Sequence, residues 1–343
     1  KMMHLPASHG GKQRIVRWQR KHRRKQRQKR KQIKRKDSVK FSMKKNKNLF
    51  VCLMLAGILL VSVLIGTVAA RRQETPASKE LTVVTSFYPM YIAAENVIGD
   101  ATDVRLENLS EPQTGCLHDF QLTPEDMKLL STADVFIING GGIESFMKDV
   151  AAAYPDLTII EACENVQLLA EGNDENAHAW MSIAAYETQV QTIADELGKA
   201  DAAHKDLYEA NAKAYKEKLE PLKERQKKIA EAANGQNVIL FHEAYDYVAE
   251  DYGLNVSYVL DLDEERQVSA GEIADVLAAV KKDHVKYILA EELYGKSTGD
   301  TIEAESDVKV LYLDPLNKGN YDADSYLEGM SKNMDILEQY LDR

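Results

Sequence analysis

From Leu81 onward, short apolar runs alternate with amphipathic stretches. "LTVVTSF", "TDVRLENL", "DVFIING" and "LTIIEA" read as strands, and helical patterns such as "YPMYIAAENVIG" fall between them. In "TPEDMKLLSTA", Thr123 suits an N-cap, Pro124 the first turn, and Asp126 the returning half of a capping box. In residues 202–233 the pattern changes. Tyr208, Ala212, Tyr215, Leu219, Leu222 and Ile229 recur at helical spacing. One helix over this stretch would be roughly 48 Å long at about 1.5 Å per residue, with Pro221 as a point of kinking or interruption. The strand–helix pattern then resumes at "NVILF", "NVSYVL", "VKYILA" and "VKVLYLD". Alternation of this kind predicts an α/β protein. The expected architecture is two lobes of mostly parallel sheet flanked by helices, joined by one long backbone helix. The lobes are placed at 81–200 and 234–343, with the linking helix at 201–233.

Upstream, "LFVCLMLAGILLVSVLIGTVAA" (49–70) carries no charge, and roughly 20 apolar residues suffice to span a bilayer. It reads as a transmembrane anchor or a signal peptide cut after Val68-Ala69-Ala70. Lys44, Lys45 and Lys47 before it predict a cytoplasmic amino terminus. The body is then extracytoplasmic, either attached to the outer face of the membrane through 49–70 or periplasmic or secreted. Residues 71–80, "RRQETPASKE", are a polar linker.

Charge divides at the same place. Residues 1–48 hold 20 of the 44 Lys and Arg but one of the 54 acids; the rest carries 24 basic and 53 acidic residues. The basic extension 1–48 could bind nucleic acid or anionic lipid. The alternative is that translation starts at Met43, followed by "KKNKN", and the preceding residues are an upstream extension of the reading frame. No nucleic-acid partner is expected for the acidic body, which is read as a monomer. The cysteines, Cys52, Cys116 and Cys163, show no zinc-finger spacing. Cys116 and Cys163 are either a disulfide or two thiols.

Five of the eight histidines lie in the body. His204 and His284 read as surface residues. His118 and His178 each sit in a loop before a helix, with an aromatic residue two positions on, Phe120 and Trp180. His242 ends the strand "NVILF", and Asp314 ends "VKVLYL". Ligands of open α/β sheets bind at that strand edge. Three imidazoles and a carboxylate suit zinc, whereas manganese prefers more oxygen. The sequence "HEAYD" lacks the second histidine of a zinc-protease motif, so Glu243 and Asp246 read as acids at a helix N-terminus. "NGGGIESF" reads as a tight strand-to-helix turn, with anion binding as the alternative. No nucleophile elbow, phosphate loop or dinucleotide fingerprint is present.

The motifs "GCLHDFQLTPEDMKLLSTADVFIINGGGIESF", "AHAWMS", "LFHEAYDYVAEDYGL", "VKYILAEELYGKS" and "VKVLYLDPL" resemble, in order and spacing, the metal-specific solute-binding proteins of ABC transporters, in particular the zinc-uptake branch. The resemblance runs from about Leu81 to Tyr340. It implies two lobes on a rigid helix, a buried metal in the cleft, and delivery to a membrane permease without enzymatic activity. The ligands it implies are His118, His178, His242 and Asp314. A histidine at 242, where the manganese branch has glutamate, points to Zn2+, with Mn2+ or iron as the alternative cargo. Two positions depart from the branch: "AEGNDENA" holds no histidine, and Cys116-Leu117 replace the usual Asp-Pro before His118. Affinity should fall as pH drops toward the ordinary histidine pKa, about 6.5. The readings from other classes are a zinc hydrolase with Glu243 as base and a surface adhesin.

Overall fold

The computed structural model describes residues 27–32, 34–37, 51, 54, 57–60, 80–109, 118, 120–171, 174–262 and 266–341. The chain divides into two compact units, 1–78 and 79–343. In the first, the described residues are helical and exposed. Among the described residues no helix is long and apolar enough to cross a membrane. Most of the apolar run 49–70 lies outside the described residues, as do 71–79, Cys52 and Cys116, so the expectations placed on them fall there too.

The second unit holds two four-stranded parallel sheets. The first contains β1 (Leu81–Thr85), β2 (Val104–Asn108), β3 (Val135–Ile138) and β4 (Thr158–Glu161), in the order β2-β1-β3-β4. Helices α1 (Tyr88–Ile98), α2 (Pro124–Leu130) and α3 (Met147–Ala153) connect these strands. A hairpin, β5 (Leu169–Glu171) and β6 (Asp174–Asn176), follows, and then α4 (Ile183–Ala200). The second sheet contains β7 (Asn237–Leu240), β8 (Asn255–Val259), β9 (Tyr287–Ala290) and β10 (Lys309–Tyr312), in the order β10-β9-β7-β8. Its connections are α6 (Tyr245–Asp251), α7 (Ala270–Asp283) and α8 (Glu292–Glu305). The two lobes therefore repeat one strand order. In each, the chain reverses direction across the sheet beside the first strand, between β1 and β3 and between β7 and β9. Such a switch point opens a crevice at the carboxyl ends of the strands.

Between the lobes runs α5 (Lys205–Ala233), 29 residues long, against which α1, α4 and the final helix α9 (Ser325–Leu341) pack. Pro221 lies within it and does not end it. The apolar stripe explains this: Tyr208, Ala212, Tyr215, Leu219 and Ile229 are all buried, and packing on both sides of the proline outweighs the lost backbone bond. The helix begins at Lys205, with His204 as its N-cap residue and the His204 Nδ1 at 2.6 Å from Asp201 Oδ2. The capping box at Thr123 forms as its sequence predicts. Asp126 N donates to Thr123 Oγ1 at 3.2 Å, and Thr123 N donates to Asp126 Oδ2 at 2.7 Å.

One apolar core runs through the first sheet, α4, α5, α9 and one face of the second sheet, including Val84, Ile137, Leu219, Leu240 and Met334. A smaller one, around Ile239, Phe241 and Ile288, covers the other face. Both faces of each sheet are thus shielded, as parallel sheets require.

Asp251, at the end of α6, bears on stability. Burial pushes its carboxyl from the ordinary 3.8 up to about 6, opposed by the Ser182 hydroxyl, which donates to Oδ1 at 3.2 Å. A raised acid contributes stability below its unfolded pKa and loses it as pH rises through the folded value. Asp251→Asn should therefore stabilise the protein by up to about 3 kcal/mol at pH 7.5, a Tm rise on the order of 5–10 °C, with the gain fading toward pH 4. A Tm difference independent of pH would contradict this.

Candidate metal centre

Local packing fixes each histidine. Phe120, two residues beyond His118, packs edge-on against Phe87 and Phe146 at ring-centroid distances of 5.7 and 5.6 Å. Trp180, two beyond His178, is buried and donates from Nε1 to the Pro315 carbonyl at 2.8 Å. Tyr326 donates its hydroxyl to the Trp180 carbonyl at 2.8 Å and stacks on Tyr186 with centroids 3.8 Å apart. The aromatic residues that follow the two histidines are thus anchors. His242 follows the buried Phe241 at the carboxyl end of β7, on the switch-point edge of the second sheet.

The three imidazoles converge. The His178 ring centroid is 5.1 Å from that of His118 and 5.0 Å from that of His242. His178 and His242 are each 4% exposed, and His118 lies at the open side. Glu243, read from sequence as a helix-terminal acid, joins them. Its Oε1 is 3.5 Å from His242 Nε2 and 3.8 Å from His178 Nε2. Ligand atoms of His118, His178 and Glu243 all lie within 4.8 Å of one another. Donors about 2.05 Å from a tetrahedral zinc ion are separated by roughly 3.4 Å, so this spacing needs only small adjustment to enclose an ion.

Asp314 occupies different surroundings. It is exposed; its backbone exchanges two hydrogen bonds with the Asn333 side chain, and its Oδ1 accepts from Leu316 N at 2.8 Å. It lines a pocket of about 500 Å3 with Glu291, Lys318 and Lys332. Glu291, at the carboxyl end of β9, is buried and accepts from Lys318 Nζ at 3.4 Å. Burial raises its pKa, Lys318 and His242 oppose that, and Asp314 adds to it. The pocket is therefore in electrostatic reach of the histidine cluster, but the set within 4.8 Å holds neither Asp314 nor His242; His242 joins the cluster through its ring distance of 5.0 Å to His178 and its 3.5 Å contact with Glu243.

The electrostatics favour cation binding. Burial, with His242 and His118 nearby, drives the His178 pKa well below 6.5, although Glu243 opposes the shift. Burial alone would raise Glu243, but the His242 and His178 imidazoles, 3.5 and 3.8 Å from its Oε1, favour the carboxylate and hold it at about 2. A neutral imidazole and an ionised carboxylate are the forms that bind metal.

"NGGGIESF" is a turn that supplies its own anion. Gly140, Gly141 and Gly142 have φ of 84°, 65° and 88°, which side-chain-bearing residues avoid. The buried Glu144 accepts from Asn139 N, Gly140 N and Ser86 Oγ at 2.7, 3.0 and 2.7 Å. Burial pushes its carboxyl up to about 7 against these donors. Asn139 in turn donates to the Ala177 carbonyl at 2.9 Å, steadying the residue before His178. Cys163 is a buried free thiol, raised by burial to about 12 and held by Gln189 Nε2 at 3.1 Å.

Two lobes of like topology with, among the described residues, one histidine–carboxylate cluster where they meet define a two-lobed solute-binding protein. Residues 83–340 match the family described as ZnuA, zinc-uptake complex component A, periplasmic, and the chain belongs to that family. It is 27% identical over 320 residues to the high-affinity zinc uptake system protein ZnuA of Bacillus subtilis, covering 87% of this chain and 98% of that protein. It is 29% identical over 310 residues to the zinc-binding protein AdcA of Streptococcus pyogenes, covering 81% of this chain and 59% of AdcA. Among solved structures it is similar to the solute-binding protein FpvC of Pseudomonas aeruginosa in complex with Ni2+, with a TM-score of 0.68 and 31% identity over 77% of this chain and 97% of FpvC.

Proposed function

We propose that the protein is the extracytoplasmic component of an ABC-type uptake system, that its cargo is zinc, and that it hands the ion to a membrane permease. The observation that carries this reading is the meeting of the exposed His118 with the buried His178, His242 and Glu243 at the boundary of two lobes. The three imidazoles are the nitrogen ligands, and Glu243 is the carboxylate nearest them. Asp314, the carboxylate implied by the sequence resemblance, serves on the adjoining pocket wall. Three nitrogen donors and one oxygen suit zinc. The reading is capture, not catalysis. The lobes span 81–200 and 234–343 around the linking helix 201–233, the body acts as a monomer, and residues 49–70 direct export as a cleaved signal or retained anchor.

Manganese is the competing cargo, supported by 27% identity over 265 residues to the manganese-binding lipoprotein MntA of Halalkalibacterium halodurans. Nitrogen sites favour zinc over manganese in general, so a cellular test separates the two better than affinity does. A strain lacking this chain should grow poorly when zinc is scarce and recover on added zinc. Recovery on manganese but not on zinc would reject the assignment.

A further inference from the structure

Asn176 closes the β5–β6 hairpin and is completely buried. Its amide oxygen accepts from His178 N at 3.1 Å and lies 3.0 Å from His178 Nδ1. Its amide nitrogen donates to the Glu243 carbonyl at 2.9 Å and reaches Asp246 Oδ2 at 3.3 Å. Side-chain amides can be turned end for end in principle, but two backbone groups of fixed polarity decide this one. A backbone N–H only donates, so the atom facing His178 is oxygen. A carbonyl only accepts, so the atom facing Glu243 is nitrogen. The oxygen has no proton to give, so the Nδ1 of His178 must carry one. The Nε2 lone pair is then left for a metal, on the side where Glu243 Oε1 lies 3.8 Å away.

The same amide joins the lobes. His178 belongs to the segment after the first sheet, and Glu243 to the edge of the second. Tyr247, on α6, reinforces the tie: its hydroxyl donates to the Asn176 carbonyl at 2.7 Å and accepts from Leu169 N at 3.2 Å. Separating the lobes would strip the amide nitrogen of both partners while leaving its oxygen on His178.

We propose that Asn176 is a positioning residue that presents Nε2 of His178 to the metal and couples that presentation to closure of the second lobe. The proposal rests on the zinc reading of the site. Ligand orientation and lobe position then move together, and metal release accompanies loosening of the Asn176–Glu243 bond.

The test uses the full chain with 15N-labelled histidine, free of metal, followed by zinc competition and stopped-flow release. In the wild type, His178 should carry its proton on Nδ1. Asn176→Asp keeps both oxygen contacts but cannot donate to Glu243. It should retain the Nδ1–H form while releasing zinc at least about tenfold faster. Asn176→Ala should give mixed tautomers and bind zinc roughly 10–100-fold more weakly, the usual cost of losing such a partner. A wild-type His178 protonated on Nε2 alone would overturn the proposal whether or not the alanine variant folds. So would wild-type affinity in Asn176→Ala, or wild-type release in Asn176→Asp. A wild type that keeps the Nδ1–H form yet binds no zinc would instead overturn the zinc reading and, with it, any role of Asn176 in metal release.

Discussion

His178→Ala is expected to weaken zinc binding at least about 100-fold. Structural zinc sites bind with roughly 10–16 kcal/mol shared among four ligands, so one ligand accounts for about 3 kcal/mol, or about two powers of ten. His178 is the residue to remove because it stands between the other two histidines, with ring centroids 5.1 and 5.0 Å away. Its loss removes the 3.0 Å side-chain contact from Asn176 Oδ1, while the 3.1 Å bond from the backbone N–H of residue 178 remains and still fixes the hairpin end. The fold should therefore survive while affinity falls. A competition titration measures this. Affinity within a few-fold of wild type would remove His178 from the site.

The second large effect concerns the carboxylate. Glu243→Gln should weaken zinc binding at least about tenfold, and Asp314→Asn should cost less. Glu243 is 6% exposed and has an oxygen 3.5 and 3.8 Å from two imidazole nitrogens. Glutamine keeps the shape but removes the negative charge, and charge-assisted contacts are roughly twice as strong as neutral ones. Asp314 is exposed, and one of its oxygens is already engaged by Leu316 N. The same titration compares the two variants. A larger loss in Asp314→Asn than in Glu243→Gln would return the carboxylate role to Asp314.

Much of the fold was legible because its signals are local. Most strands of the two sheets are short and rich in apolar residues, such as "VFII" and "YILA", with the outer strands "VRLEN" and "NVSYV" more polar, and Thr123 with Asp126 marked a helix start that forms as written. His118, His178 and His242 stood out because each ends a loop or strand, and the structure brings all three together. What was not legible depends on long-range packing. Pro221 could not be read as tolerated without knowing that the buried stripe continues past it. Glu243 follows a strand end and precedes a helix, so its sequence position fits a helix-terminal acid equally well. Only the convergence of His178, 65 residues earlier in the chain, draws its carboxylate inward. Asn176 carries no sequence signal at all. Its polar neighbours include Glu243 and Asp246, reached across 67 and 70 residues. The short hairpin that carries it, in "AEGNDEN", reads as an acidic loop.

The most direct measurement is metal analysis of the full chain, loaded with zinc and freed of excess, for the wild type and for His118→Ala, His178→Ala and His242→Ala. The wild-type chain should hold one zinc ion tightly, and each variant should lose it. Wild-type stoichiometry in all three variants would contradict this.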